Sequence, residues 1–232
     1  MGCVYFVSGI DTGIGKTVAT GMIERFLLGW NVRAATVKMV QTGCHGFSED
    51  LELHRKLMGI PFLTEDLAGL TAPQIFDFPA SPHFAAAREG RTVDTERIAG
   101  AVRQVAAKYD VTLVEGAGGL AVPLTEDLLT VDFAAGQNWP VLLVASGRLG
   151  SLNHILLSLE ALRARKMRLA GVVWNFCPDA DPEIDADSFE MTEKYLIRYG
   201  FAVPAVRLGR VDVAHPEMTG ADFSPFFPEV LK

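Results

Sequence analysis

The run Gly9-Ile10-Asp11-Thr12-Gly13-Ile14-Gly15-Lys16-Thr17 constrains this chain more than any other feature. It follows the apolar run Val4-Tyr5-Phe6-Val7-Ser8 and precedes a helical pattern from Lys16 to Leu28. Glycines let successive backbone N–H groups approach phosphate oxygens, while the new helix directs its positive end at them. Lys16 adds a full positive charge; at about 4 Å one such contact contributes roughly 4 kcal/mol at an effective dielectric of about 20. Thr17 offers a hydroxyl to Mg²⁺. Five residues separate Gly9 from Gly15, one more than the usual phosphate-loop pattern. A turn needing glycine for packing alone would not call for Gly-Lys-Thr in this context, so the loop points to a nucleoside triphosphate.

The rest of the chain repeats the same alternation. Val32 to Lys38, Val111 to Glu115, Val141 to Ala145 and Leu169 to Trp174 read as further strands. Their near-continuous apolar content suits strands covered on both faces. Glu49 to Met58, Thr95 to Lys108, Leu152 to Arg165 and Asp187 to Tyr199 read as helices, with Asp94 or Thr95 and Asp185 as N-caps. The expected fold is α/β, a mostly parallel twisted sheet with helices on both faces. The run Cys177 to Asp187, with four Asp and two Pro, is expected to be a surface loop. The stretch after Gly209 lacks regular pattern and is expected to wrap the surface. With no repeat or linker, residues 1–232 read as one domain.

Charge and apolar content exclude several classes. The formal net charge is -7, with both signs interspersed, which argues against a broad nucleic-acid footprint but not against a local one. The longest apolar runs, such as Pro140 to Ala145, are too short to cross a bilayer. Cys3, Cys44 and Cys177 have neither disulfide nor metal spacing and fit a reduced cytoplasm.

A second acidic position follows the strand Val111 to Val114. Glu115, ahead of Gly116-Ala117-Gly118-Gly119, is a carboxylate at a strand tip, suited to Mg²⁺ or a metal-bound water. Asp50 is a second acidic candidate, although a first-turn acid is also what a helix dipole favours.

Taken in order, these residues resemble the dethiobiotin synthases of biotin biosynthesis, a family with a P-loop NTPase-like fold. The likeness rests on Tyr5-Phe6-Val7, the phosphate loop through Val18 with its five-residue spacing, and Lys38 after the second strand. It continues through Ser81-Pro82-His83, Val114 to Gly119, Pro123-Leu124, Leu149-Gly150 with Asn153-His154, and Asn175. The resemblance implies an ATP-dependent ring closure on 7,8-diaminopelargonate and CO₂ or bicarbonate. One amine captures CO₂ as a carbamate, the carbamate attacks the γ-phosphate, and the second amine closes the ureido ring.

The resemblance also assigns roles. Gly13, Ile14, Gly15, Lys16, Thr17 and Val18 hold the phosphates of ATP, and Thr17, Asp50 and Glu115 hold Mg²⁺. Lys16 and Lys38 are the catalytic cations. Thr12 and Thr42 contact the substrate or its carbamate. Asn175, with Arg207, Leu208 and Gly209 in a loop after the last strand, meets the base. Gly150, Ser151 and Asn153 bind the substrate carboxylate from a neighbouring subunit, which implies a homodimer. On residue type alone, Ser151 and Asn153 also read as N-cap candidates and Lys38 as a solvated strand-end charge.

Three rival readings are weighed against this one. Partitioning ATPases of the same fold place a lysine five residues before the loop lysine, where this chain has Asp11. A regulatory GTPase needs Asn-Lys-x-Asp, which Asn175-Phe176-Cys177-Pro178 lacks. A related amidating or carboxylating ligase acting on another acid uses the same phosphate chemistry, and the residues separate it least.

Overall fold

Successive apolar residues in a strand point to opposite faces, so a fully buried run needs cover on both sides. The computed structural model, which describes residues 2–231, meets that need. Its first strand, β1 (Cys3–Gly9), buries Tyr5, Phe6 and Val7 in succession. The other sheet strands are β2 (Ala34–Lys38), β5 (Val111–Gly119), β6 (Val141–Ala145), β7 (Leu169–Asn175) and β8 (Ala205–Leu208). They lie in the order β2-β5-β1-β6-β7-β8, and every pair is parallel. A separate parallel pair joins β3 (Gln41–Thr42) to β4 (Ile75–Phe76).

The crossovers are α1 (Lys16–Gly29), α2 (Glu49–Met58), α5 (Thr95–Ala106), α7 (Ser151–Ala164) and α8 (Pro182–Arg198). Shorter α3 (Thr64–Leu67), α4 (Pro82–Arg88) and α6 (Thr130–Gly136) fill the connections. Asp94 caps α5 through the backbone N–H of Arg97, as expected.

Three expectations need correction. The run from Cys177 to Asp187 is loop only at its start, because α8 begins at Pro182 and Asp181, not Asp185, is its cap. Asp181 accepts from the backbone of Glu183 and Ile184, and proline at the first helical position sacrifices no hydrogen bond. Residues Gly116 to Gly119 prolong β5 rather than ending it. The segment after Gly209 does more than wrap the surface, since Phe223, Phe226 and Phe227 belong to the core. Among the described residues, no helix is long and apolar enough to cross a membrane.

Candidate active site

In an open parallel sheet the strand ends feed the loops that bind ligands, because each chain leaves its strand there to cross over. The loop after β1 turns through Gly13 and Gly15, both at positive φ, into α1. A Cβ on Gly15 would lie 2.0 Å from Asn175 Nδ2, so a side chain there would push the Asn175 amide off the loop, and its positive φ also favours glycine. Asn175 donates that amide to the Ile14 carbonyl at 2.9 Å, fixing the loop to the opposite half of the sheet.

Strand register brings the other charged groups to the same edge. Lys38 pairs with Glu115 across β2 and β5, and Glu115 pairs with Val7 across β5 and β1. Lys38 Nζ lies 2.7 Å from Glu115 Oε1 and 2.6 Å from Asp50 Oδ2. Thr17 Oγ1 stands 3.0 Å from Asp50 Oδ1 and 3.1 Å from Glu115 Oε1. Asp50 is presented by the first turn of α2, whose cap Ser48 accepts from the Leu51 backbone and donates to Gln41 of β3. The dipole position read from the sequence and the inward contact therefore hold together.

Burial and charge oppose one another at these groups. Burial works against the charge on Glu115, but the Lys38 ammonium and a hydrogen bond from His54 outweigh it and hold the carboxyl well below the usual range. Burial likewise works against Lys38, and the facing Glu115 and Asp50 win, raising its pKa. Lys38 is thus a buried cation between two anions and not a solvated strand end. Lys16, whose ammonium reaches the Asp11 carbonyl at 3.1 Å, is pushed down to about 8 by burial and then by Lys38.

The donor set suits Mg²⁺. One hydroxyl and two carboxylates converge, all hard oxygens, and the Lys38 ammonium already occupies the cation position between the carboxylates. Among the described residues no three His, Cys, Asp or Glu gather as a metal cage.

Two cavities are lined by other residues read from the sequence. Thr12 and Thr42 line one of about 420 Å³ with Pro79 to Pro82, Ala117, Gly118 and Val122. Asn175, Arg207, Leu208 and Gly209 line another of about 260 Å³ with Trp174 and Phe176. Arg207 and Leu208 are the end of β8 rather than a loop after it. The Arg207 guanidinium is turned to Asp185 at 2.7 Å and stacks over Phe189. Asp185 also accepts from the Trp174 indole at 2.8 Å, its role in place of the expected cap.

Gly150, Ser151 and Asn153 stand apart from both cavities. Gly150, at φ 93, caps α7, so Ser151 and Asn153 are its first and third residues and neither is the N-cap. Gly150 and Asn153 are exposed, while the Ser151 hydroxyl is buried without a partner among the described residues. His54 is the residue the sequence reading missed. Wholly buried, it donates to Glu115 Oε2 at 2.8 Å and shares a hydrogen bond with Thr36 Oγ1 at 3.0 Å. The available signal was its spacing, four residues after Asp50 on the same helix face.

Known proteins match this chain along most of its length. A family model described as an AAA domain matches residues 4–211. The chain is 44% identical over 199 residues to the ATP-dependent dethiobiotin synthetase BioD 2 of Pasteurella multocida, covering 86% of this chain and 93% of that protein. It is 48% identical over 200 residues to the ATP-dependent dethiobiotin synthetase BioD of Chlorobaculum tepidum, covering 86% and 84%. Among solved structures, the cell division protein FtsY of Thermotoga maritima covers all of this chain and 68% of its own at TM-score 0.55 and 15% identity. A ParA family ATPase from Chlorobium tepidum gives TM-score 0.51 at 14% identity, covering 90% of this chain and 84% of its own. Those two likenesses concern the fold alone. Identities near one half over nearly the whole of both chains reach further, and by them this chain belongs to the ATP-dependent dethiobiotin synthetases.

Proposed function

We propose that this chain closes the ureido ring of dethiobiotin from 7,8-diaminopelargonate, CO₂ and ATP. The observation that carries the reading is the meeting of Thr17, Lys38, Asp50 and Glu115 where the phosphate loop enters α1. A carbamate and a triphosphate repel one another, so their reaction requires cations in a prearranged, water-poor site. Lys16 and Lys38 are those cations, and the backbone from Gly13 to Val18 cradles the phosphates. Mg²⁺, held by Thr17, Asp50 and Glu115, neutralises charge on the triphosphate when bound. Thr12 and Thr42 orient the carbamate by hydrogen bonding. Its oxygen attacks the γ-phosphorus and ADP leaves; the second amine then attacks the carbamoyl carbon of the carbamic-phosphoric anhydride and phosphate departs. Positioning and charge neutralisation carry most of the acceleration in such transfers.

Asn175, Arg207, Leu208 and Gly209 receive the base. With its amide nitrogen donating to Ile14, Asn175 has Oδ1 left to accept from an exocyclic amine, which suits adenine. Gly150, Ser151 and Asn153 open a long helix and bind the substrate carboxylate of a second copy, giving a homodimer with shared sites. Leu149 and Leu157, exposed beside this segment, supply apolar surface for that contact. The whole chain acts as one domain in the cytoplasm.

The test is ADP release by the purified protein. It is expected only when diaminopelargonate and bicarbonate are both present. Release without either, or none with both, overturns the reading.

A further inference from the structure

The two oxygens of Glu115 have different surroundings. Oε1 accepts from Lys38 and Thr17 at the edge of the phosphate loop, whereas among the described residues Oε2 meets only the imidazole of His54, at 2.8 Å. His54 sits one turn after Asp50 on α2 and is wholly buried.

The direction of the bond to Glu115 can be read from its carboxylate, which is paired with the Lys38 ammonium. A guanidinium only donates, and Arg55 Nη1 reaches Thr36 Oγ1 at 2.7 Å. Thr36 Oγ1 keeps a second lone pair and its own proton, and lies 3.0 Å from His54 Nδ1. Because the Glu115 carboxylate only accepts, a ring proton of His54 is on Nε2, where it faces Glu115. Arg55 is itself clamped by Asp66, with Nε to Oδ2 and Nη2 to Oδ1 both at 2.8 Å. Asp66 in turn accepts from Thr71 Oγ1 and the Leu63 backbone, each at 2.6 Å. The line from Asp66 through Arg55, Thr36 and His54 to Glu115 is thus hydrogen-bonded at every step.

We infer that His54 is a positioning residue for the metal-binding carboxylate: it occupies Glu115 Oε2 and so turns Oε1 toward the ion. A ligating carboxylate whose far oxygen is unheld can rotate, and losing such an outer hydrogen bond commonly weakens metal binding. The inference rests on the assignment of Glu115 as a ligand in the proposed function. Thr36 acts one step further out, by holding the His54 ring through Nδ1.

The experiment measures Mn²⁺ affinity by electron paramagnetic resonance, with the full-length protein saturated by a nonhydrolysable ATP analogue. His54→Phe keeps a ring of similar size but donates nothing. It is expected to weaken Mn²⁺ about 10- to 100-fold while metal-free analogue affinity changes less than about twofold. His54→Gln, whose amide can donate to Oε2, is expected to recover most of the loss. Thr36→Val is expected to show a smaller loss of Mn²⁺ affinity in the same direction. Unchanged Mn²⁺ affinity in His54→Phe, or equal losses in His54→Phe and His54→Gln, overturns the inference. Should His54→Phe fail to fold, Thr36→Val decides, and wild-type Mn²⁺ affinity there also overturns it. A wild-type protein that binds analogue but no Mn²⁺ would instead overturn the assignment of Glu115.

Discussion

Lys38 holds two carboxylates together, and its removal acts on stability and chemistry at once. With Nζ gone, Glu115 remains fully buried opposite Asp50 without an ammonium between them. Breaking a buried ion pair from one side typically costs about 3–5 kcal/mol, so Lys38→Ala should unfold at lower urea in metal-free buffer. Its turnover should fall by at least about a hundredfold, the loss seen when one transition-state donor is removed. Wild-type turnover in that variant would take Lys38 out of the reaction. Gly15 gives a steric counterpart. Alanine there keeps φ +85 under strain and drives its Cβ into the Asn175 amide. Gly15→Ala should weaken triphosphate binding about tenfold, or ~1.4 kcal/mol, by calorimetric titration; unchanged affinity would mean that Asn175 and the loop are not coupled. Lys16 and Thr17 were legible from their places in a contiguous motif. Asp50 was half legible, because a first-turn acid has a sufficient local reason to be there. His54 was not read at all, since an isolated histidine four residues after an acid carries no sign of which strand tip it will meet.

Helix α1 contains an element-scale cost. Both Glu24 carboxyl oxygens are buried without a hydrogen-bond partner among the described residues. Burial pushes the carboxyl up to about 8, with the Arg55 charge opposing in part. The folded chain therefore keeps a proton that the unfolded chain releases near pH 4.5. Stability should fall by up to ~1.4 kcal/mol per pH unit between about pH 4.5 and about pH 8, then level off. Glu24→Gln removes the titrating proton, so its thermal stability relative to wild type should improve steadily across that window. Parallel pH curves for the two proteins would refute the burial argument. At α8, Asp181→Ala should cost about 1 kcal/mol through the lost cap, read from the urea midpoint. Here the start signal was present in Asp181-Pro182, but neighbouring acids and prolines made the run look like loop. Strand β8 is short and lies at the sheet edge, so its residues lack the continuous apolar run that marked the inner strands.

At the scale of the molecule, the segment after Gly209 closes the sheet. Phe227 meets Tyr5 edge-on at 5.0 Å, Phe223 meets Phe26 at 5.7 Å, and the Phe226 ring lies 2.2 Å from where a Cβ on Gly171 would stand. Gly171→Ala should therefore destabilise by about 1–3 kcal/mol through overpacking. Most of that loss should vanish in a Phe226→Ala background, because contacting residues are not additive; additive urea midpoints would show that the tail does not press on β7. Short 3₁₀ turns around proline have no period to read, which is why three core phenylalanines looked like surface wrapping. By itself the sequence determined the phosphate loop, the alternation of strand and helix and the family likeness, because backbone turns and burial periodicity depend on neighbours along the chain. The tertiary structure alone decided that Thr17 would meet Glu115, 98 residues away, that Lys38 would lie between two carboxylates, and that His54 would hold one of them. Those meetings depend on parallel register and on how α2 packs at the sheet edge, and non-local packing leaves no mark in any short window of residues.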